Sequence, residues 1–581
     1  MPSQDIKRER MCMKIIKFLF TNYRSIGPNR EELLLENNDI IFLIGKNSSG
    51  KSTIMEGYDF FVNSKLPTIY DFNRCNISCN IEIEAEFEIE NSEKEDGELW
   101  DQISKYVFDE KLHIKQVWKD IGIHSEFYIY DKNIGDYIKV NQKLGLKLLA
   151  LLPKPVWIRG MDTINKSISQ LQVLLNKGFS YEFVSKGGFA YKRERGKTTA
   201  EIFSRLGVLT ELGALYNSIL KDVFPEASFK PFLGPDKNLP ENPHGKQKGH
   251  LLVEQDGMNI GFDYNGDAIK RLLLVTSELF KDELEAISQG KEITLTKKMI
   301  LFEEPELFGH PDSIRSMRNL LYKLSQNPNY NIICTTHSPV MIDLAREHSA
   351  LVRVKFIQGL QMQTKIFQVD GSFFDQEQRK KMRLLINFDP YVCEAFFSEK
   401  VLLVEGDTEY IVTNTIISIL KSNGILEEKD YIHVVNCRSK TNISFFQEVL
   451  RNFQIRYYVF HDLDDTYKKN GYKNSAWTEN EKIWKEIEKA RNSFSPAVRR
   501  YIFLRNFEQH NKYDINTKKG KPYSAYEMVM KIENQLNNKI PKEKGMKPIL
   551  KYVLDIFGKL EVSVKDHDDQ FVNDKRNRKK K

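Results

Sequence analysis

The chain has 581 residues, enough for two to four domains, and its 41% hydrophobic content supports sizeable cores. Its 87 Lys and Arg stand against 80 Asp and Glu, a formal charge of +7 that is too diffuse to establish nucleic-acid binding. Six scattered cysteines, with Cys75 and Cys79 lacking a second pair at zinc spacing, argue against a disulfide scaffold or a structural zinc. No apolar run reaches membrane-spanning length and the N-terminus is not a signal peptide, so a reduced, cytoplasmic protein without membrane association is expected.

Residues 1–12 are polar and read as an extension or a misplaced start ahead of the strand pattern of residues 14–20. Residues 40–44 (IIFLI) form a buried strand ending at Gly45, with a helix starting at about Lys51. Residues 80–90 alternate strictly, placing Ile81, Ile83, Ala85, Phe87 and Ile89 on one face of a half-exposed antiparallel strand. Residues 126–130 give another strand. Between about 161 and 223, Ile202, Leu206, Leu209, Leu212, Leu215 and Ile219 recur at helical spacing, predicting a helical insertion packed on itself or on a second subunit. Residues 230–250 are rich in Pro, Gly, Lys and Asn and read as a loop or disorder. Residues 299–302 and 330–336 are further buried strands. From about 390, strands at 401–404, 431–435 and 457–460 alternate with a helix at 408–422, the pattern of a parallel α/β domain. The basic run at 575–581 reads as a solvated tail.

Residues 45–52 (GKNSSGKS) complete a GxxxxGKS phosphate loop between a strand and a helix, the context this motif requires. Gly45 and Gly50 permit the tight path, and Asn47 and Thr53 line the nucleotide. Lys51 reaches the β- and γ-phosphates of ATP, and Ser52 ligates Mg2+. Glu303 and Glu304 follow the 299–302 strand. Glu303 would hold the metal through water, and Glu304 would polarise the attacking water. His337, at the end of the next strand, is placed to sense the γ-phosphate.

A second set of acids follows strands of the C-terminal region: Glu405 and Glu409 after 401–404, Asp462 and Asp464 after 457–460. In open parallel sheets ligands collect at the carboxyl ends of strands, so these four groups can converge. Clustered carboxylates repel unless metals neutralise them, and hard oxygen donors suit Mg2+ or Mn2+. Two such ions can drive phosphodiester hydrolysis.

The segments GKNSSGKST, EEPELFGHP and TTHSP, with Asn22-Tyr23-Arg24-Ser25-Ile26, resemble ABC-type ATPases related to RecF and SMC proteins. That resemblance implies a signature segment completing the site of a second subunit, best matched at 265–271 with Gly266. Asn265 stands where Ser is common, and Glu303 where Asp is usual. It also implies head-to-head nucleotide sandwiching, hence a homodimer or higher homo-oligomer. The paired acidic segments resemble a Toprim domain, and the two together resemble the OLD (overcoming lysogenisation defect) nucleases. Within that resemblance, residues 435–442 match a GGK-like loop without its glycines, Glu508 completes a second metal site, and Lys521 stabilises the transition-state phosphate.

The expected fold is α/β. It has an ABC-type ATPase head (1–160 and 251–390) with a mainly helical insertion (161–250), followed by a Toprim parallel α/β domain (391–581). The expected function is an ATP-gated, metal-dependent DNA endonuclease or nickase in anti-phage defence, of Gabija-like or retron-associated type. Its partners would be DNA, a second copy, and a defence-system protein or a retron reverse transcriptase with its RNA–DNA hybrid. The competing reading is a RecF-like DNA clamp or repair protein without nuclease activity.

Overall fold

The computed structural model describes residues 14–36, 39–89, 97–159, 217, 227–235, 247–255, 258–261, 269, 275–276, 278–279, 297–307, 311–343, 349–357, 362–370, 376–378, 380, 390–467, 471–472, 474–516, 518–536, 540 and 545–562. Contacts divide the chain into two compact units, with the division between Ile366 and Phe367. The strand pattern that restarts near 390 lies inside the second.

The first unit opens with β1 (Lys14–Thr21), β2 (Glu31–Leu34) and β3 (Ile40–Ile44), then helix α1 (Lys51–Val62). Next come β4 (Ile81–Glu88), α2 (Gly97–Ile103), β5 (Lys111–Trp118), β6 (Glu126–Asp131), β7 (Asp136–Val140), α3 (Gln142–Leu149) and β8 (Lys154–Ile158). Strands β9 (Ala227–Pro235), β10 (Gln247–Gln255) and β11 (Met258–Gly261) form a separate three-stranded antiparallel sheet. Then follow β12 (Lys298–Glu303), α4 (Pro311–Leu324), β13 (Tyr330–Thr335), β14 (Ser349–Ile357) and β15 (Gln363–Asp370).

An antiparallel sheet runs β2-β1-β4-β5-β6-β7, and a second sheet runs β15-β14-β3-β13-β12-β8. In the second sheet β14, β3, β13, β12 and β8 are mutually parallel. Helix α1 joins the two: Tyr58 and Phe61 pack on Phe18 of β1, in one core with Leu43, Leu301 and Ile333. Every residue of β3 is buried, so a continuous apolar run is what a strand covered on both faces requires.

Two expectations are corrected here. Residues 227–235 and 247–255 are paired strands rather than loop or helix, with Leu252 opposite Lys230 and Lys248 opposite Gly234. Pro231 and Pro235 lie on β9, which among the described strands pairs with β10 alone and so stands at an edge of the three-stranded sheet, where a missing N–H is tolerated. Strand β4 is also not half-exposed. It lies between β1 and β5, and Glu84 and Glu86 on its polar face are covered by Arg30, Tyr137, Lys17 and Lys111. The apolar periodicity at 202–219 lies outside the described residues.

The second unit contains a 3-10 segment (Pro390–Phe397), β16 (Lys400–Val404), α5 (Asp407–Ser422), β17 (His433–Asn436), α6 (Lys440–Asn452) and β18 (Arg456–Asp462). It continues with α7 (Ser475–Ser493), β19 (Arg499–Phe503), α8 (Phe507–Asn511), α9 (Lys521–Leu536) and α10 (Pro548–Ile556). The sheet order is β17-β16-β18-β19, all parallel. Among the described residues no helix is long and apolar enough to cross a membrane.

Candidate functional site

The phosphate loop leaves β3 and enters α1. Gly45 (φ +149) and Gly50 (φ +104) lie in backbone that favours glycine, and a side chain at either would strike neighbouring atoms. A Cβ on Gly45 would meet the Val354 carbonyl, and one on Gly50 would meet Thr364 Oγ1. Lys51 Nζ donates to the carbonyls of Gly45 (2.8 Å) and Lys46 (3.0 Å). Burial lowers the Lys51 pKa, while Glu304 and Glu306 oppose that shift.

A cavity of about 540 Å3 opens here, with Asn47, Gly50, Lys51, Ser52, Thr53 and the three partners Glu303, Glu304 and His337 among its lining residues. Glu303 is the last residue of β12 and touches the Ser52 hydroxyl. Its carboxyl is raised by burial, against the charge of Arg159. Glu304 follows at φ 46, its amide bonded to the Thr335 carbonyl at 3.0 Å, and its Oε1 lies 3.4 Å from His337 Nε2. The structure therefore brings Lys51, Ser52, Glu303, Glu304 and His337 to one cavity. Gly266 lies outside the described residues.

Two supporting residues had no predicted role. Glu306 accepts from the Thr336 hydroxyl (2.9 Å) and the His337 amide (2.5 Å), fixing the loop that carries His337. Thr364, fully buried on β15, contacts Ser25 Oγ (2.8 Å) and the Ser49 carbonyl (2.9 Å). Ser25 in turn meets Thr53 at 3.2 Å. Glu306 sat within the recognised EPEL segment, whereas no local pattern marks Thr364.

In the second unit the acids stand where parallel strands end. Asp462 is the last residue of β18, and its amide donates to Glu405 Oε2 at 3.2 Å, just beyond the end of β16. Glu409 shares the buried stripe of α5 with Val412, Thr413 and Ile416, so helical spacing turns it inward. Asp464 has φ 61 and receives Lys440 Nζ at 2.6 Å. Lys440 opens α6, is 3% exposed, and also donates to the Asp462 carbonyl. His461 beside them is wholly buried, its Nδ1 2.9 Å from the same carbonyl, and burial holds its pKa well below the ordinary value.

Burial pushes Asp462 up to about 9, with the charges of Glu405, Glu409 and Asp464 adding and Lys440 opposing. Burial likewise raises Glu409 to about 7, and raises Glu405 against Lys440. Asp462 Oδ1 is buried without a hydrogen-bond partner. Glu508, on α8 after the Asn506 cap, adds its charge at Glu409 and pairs with Lys521 Nζ at 2.9 Å. Both late residues thus lie beside the acidic set.

Among the described residues no three His, Cys, Asp or Glu side chains already close on one point as a metal-ligand set. The acids share a neighbourhood, with an ammonium group among them, rather than a single focus. The donor set nonetheless fits a divalent cation. Its atoms are carboxylate oxygens, several are buried and mutually repelling, and one lacks a partner.

The comparisons agree with this division. The family model for the overcoming lysogenization defect protein-like TOPRIM domain matches residues 396–464. The AAA ATPase domain model matches residues 158–342, a span that holds Glu303, Glu304 and His337 and begins after the phosphate loop. The chain therefore joins an ATPase domain to a C-terminal Toprim domain. An OLD nuclease of Thermus scotoductus is 27% identical over 165 residues, 28% of this chain and 30% of that protein. The Old nuclease of Escherichia phage P2 is 24% identical over 264 residues, 45% of this chain and 43% of that protein. The matches span less than half the length of these curated relatives. Among solved structures, the SMC head domain of Thermotoga maritima is 13% identical, with 62% of this chain and 100% of that chain covered at a TM-score of 0.37. An SmcHead bound to the C-winged helix domain of ScpA is 15% identical, with 61% and 98% covered at 0.39.

Proposed function

We propose that this chain is an ATP-binding and ATP-hydrolysing, divalent-metal-dependent DNA endonuclease or nickase whose nucleotide state gates cleavage at the Toprim acids. The observation that carries the reading is the placement of Glu405 and Asp462 at the carboxyl ends of adjacent parallel strands, with Asp462 Oδ1 buried and unpartnered. Glu405, Glu409, Asp462, Asp464 and Glu508 would hold Mg2+ or Mn2+, which supplies an activated water and charge neutralisation for phosphodiester hydrolysis. Lys521, paired with Glu508, would meet a non-bridging phosphate oxygen. The Asp462 backbone amide fixes the Glu405 carboxylate at the strand end, so a bound phosphate would meet a pre-oriented Glu405. At the other site, Ser52 and Glu303 would hold Mg2+, Lys51 would meet the phosphate charge, and Glu304, 3.4 Å from His337 Nε2, would orient the attacking water.

The reading extends to a cytoplasmic homodimer or higher homo-oligomer acting in anti-phage defence, with a partner protein or a retron reverse transcriptase and its RNA–DNA hybrid as the restraint. The test is plasmid cleavage with Mg2+ or Mn2+, comparing wild type with Glu405→Ala and Asp462→Ala. Both variants should lose cutting by a factor of about a hundred or more. Equal cutting by all three would sink the assignment. Lys51→Ala, assayed alongside, should abolish ATP binding.

A further inference from the structure

In the first unit, α2, the 3-10 turn Ser104–Tyr106, the end of β7 and helix α3 surround a cleft of about 610 Å3. Four lysines line it, Lys105, Lys139, Lys143 and Lys147, against the single carboxylate Asp101. Lys143 and Lys147 are spaced i and i+4 on α3, so they project from one helix face. Asn141 accepts the Leu144 amide at 2.8 Å and fixes the start of that helix at the cleft.

Glu126 offsets one lysine of this group, Lys139, and divides its charge with Lys119 outside it. It is shared by Lys139 Nζ and Lys119 Nζ, each at 2.8 Å, so one carboxylate faces two ammonium groups. Edge protection does not account for the group. Strand β7 is the edge of its sheet, and lysines on edge strands discourage unwanted pairing, but only Lys139 is on β7. Lysines outnumber carboxylates four to one among the residues lining this cleft, a balance that suits a polyanion.

We infer that this cleft binds the phosphodiester backbone of duplex DNA, apart from both candidate active sites and without reading base sequence. Lysines are point charges suited to phosphate rather than to base edges. The one aromatic ring on the cleft, Tyr106, already carries the Lys105 ammonium 4.7 Å from its centroid, so one of its faces is taken. The inference rests on the reading that the chain acts on DNA, and it adds a surface that would hold the duplex during cutting.

The test uses the full-length chain in EDTA, so that binding is read without cleavage. Anisotropy of a fluorescein-labelled duplex of arbitrary sequence is measured across a salt series. The triple variant Lys105→Gln/Lys143→Gln/Lys147→Gln should bind at least tenfold more weakly at low salt, with its log–log salt slope shallower by about 0.9 for each phosphate no longer neutralised. The matching triple arginine variant should restore the wild-type slope, which a folding defect would not produce. An unchanged slope and affinity in the glutamine variant overturns the inference. So does loss of tripolyphosphate binding with duplex binding intact, which would make the cleft a small-polyphosphate site. Plasmid cutting with Mg2+ is scored separately. Lysine-dependent binding without cutting leaves this surface standing and removes the nuclease reading, whereas cutting with an unchanged salt slope does the reverse.

Discussion

Glu304 (φ 46) and Asp464 (φ 61) are held in left-handed backbone that costs a non-glycine residue on the order of 1 kcal/mol or more. Each is pinned from a neighbouring segment, Glu304 by the Thr335 carbonyl and Asp464 by that of Arg505. Their short motifs were legible because the chemistry is local: a strand end, then a carboxylate. What was not legible is the support that crosses the chain. Thr364 lies far downstream of the loop it steadies, and Lys440 carried no assigned role although its ammonium stands among the acids. The hydroxyls of Thr53, Ser25 and Thr364 form a chain ending on the Ser49 carbonyl, which ties α1 to the loop before it. Thr364→Val keeps the volume but breaks that chain and leaves the Ser49 carbonyl unpaired. ATP affinity should fall by about fivefold to tenfold, as expected for one lost buried hydrogen bond. Thr364→Ser should restore it. Fluorescent-nucleotide titration reads both, and a valine variant with wild-type affinity would remove Thr364 from this role.

Strands buried on both faces announce themselves as unbroken apolar runs, which is why β3, β12 and β16 were readable from composition alone. Strands β9 and β10 were not, because Pro, Gly and Lys dominate a segment whose order comes from cross-strand pairing rather than from periodicity. The C-terminal helix α10 gave no signal of its purpose either. Its Asp555 Oδ2 accepts from the buried Tyr501 hydroxyl (2.6 Å) and from Arg499 Nη1 (3.1 Å), clamping the helix onto β19. Asp555→Ala removes the acceptor shared by that hydroxyl and Arg499, in a core with Phe460 and Tyr552. Stability should drop by about 2 kcal/mol, or roughly 4–8 °C in the second unit's melting transition. Adding Tyr501→Phe should recover part of the loss, since removing both partners costs less than orphaning one. Differential scanning calorimetry reads the transition; an alanine variant that melts with wild type would show that the clamp contributes nothing.

In the protein taken whole, the two candidate sites belong to separate compact units, so ligand binding at each can be read separately. The Toprim acids offer the sharper physical test because their burial makes metal and protons competitors. With Asp462 raised to about 9, its carboxyl holds its proton near neutral pH until a cation displaces it. Asp462→Asn replaces that protonated acid with an uncharged group of the same shape. In EDTA its melting temperature should stay close to that of wild type, within about 1 kcal/mol of stability. Wild type should gain on Mg2+ addition, by about 2.7 kcal/mol at a hundredfold excess over the dissociation constant, or roughly 5–11 °C. The Asn variant should gain little, and its ATP binding at Lys51 should be unchanged. A Mg2+-induced rise that persists in Asp462→Asn, at a concentration too low to load the nucleotide site, would place the bound metal elsewhere and remove Asp462 from the ligand set.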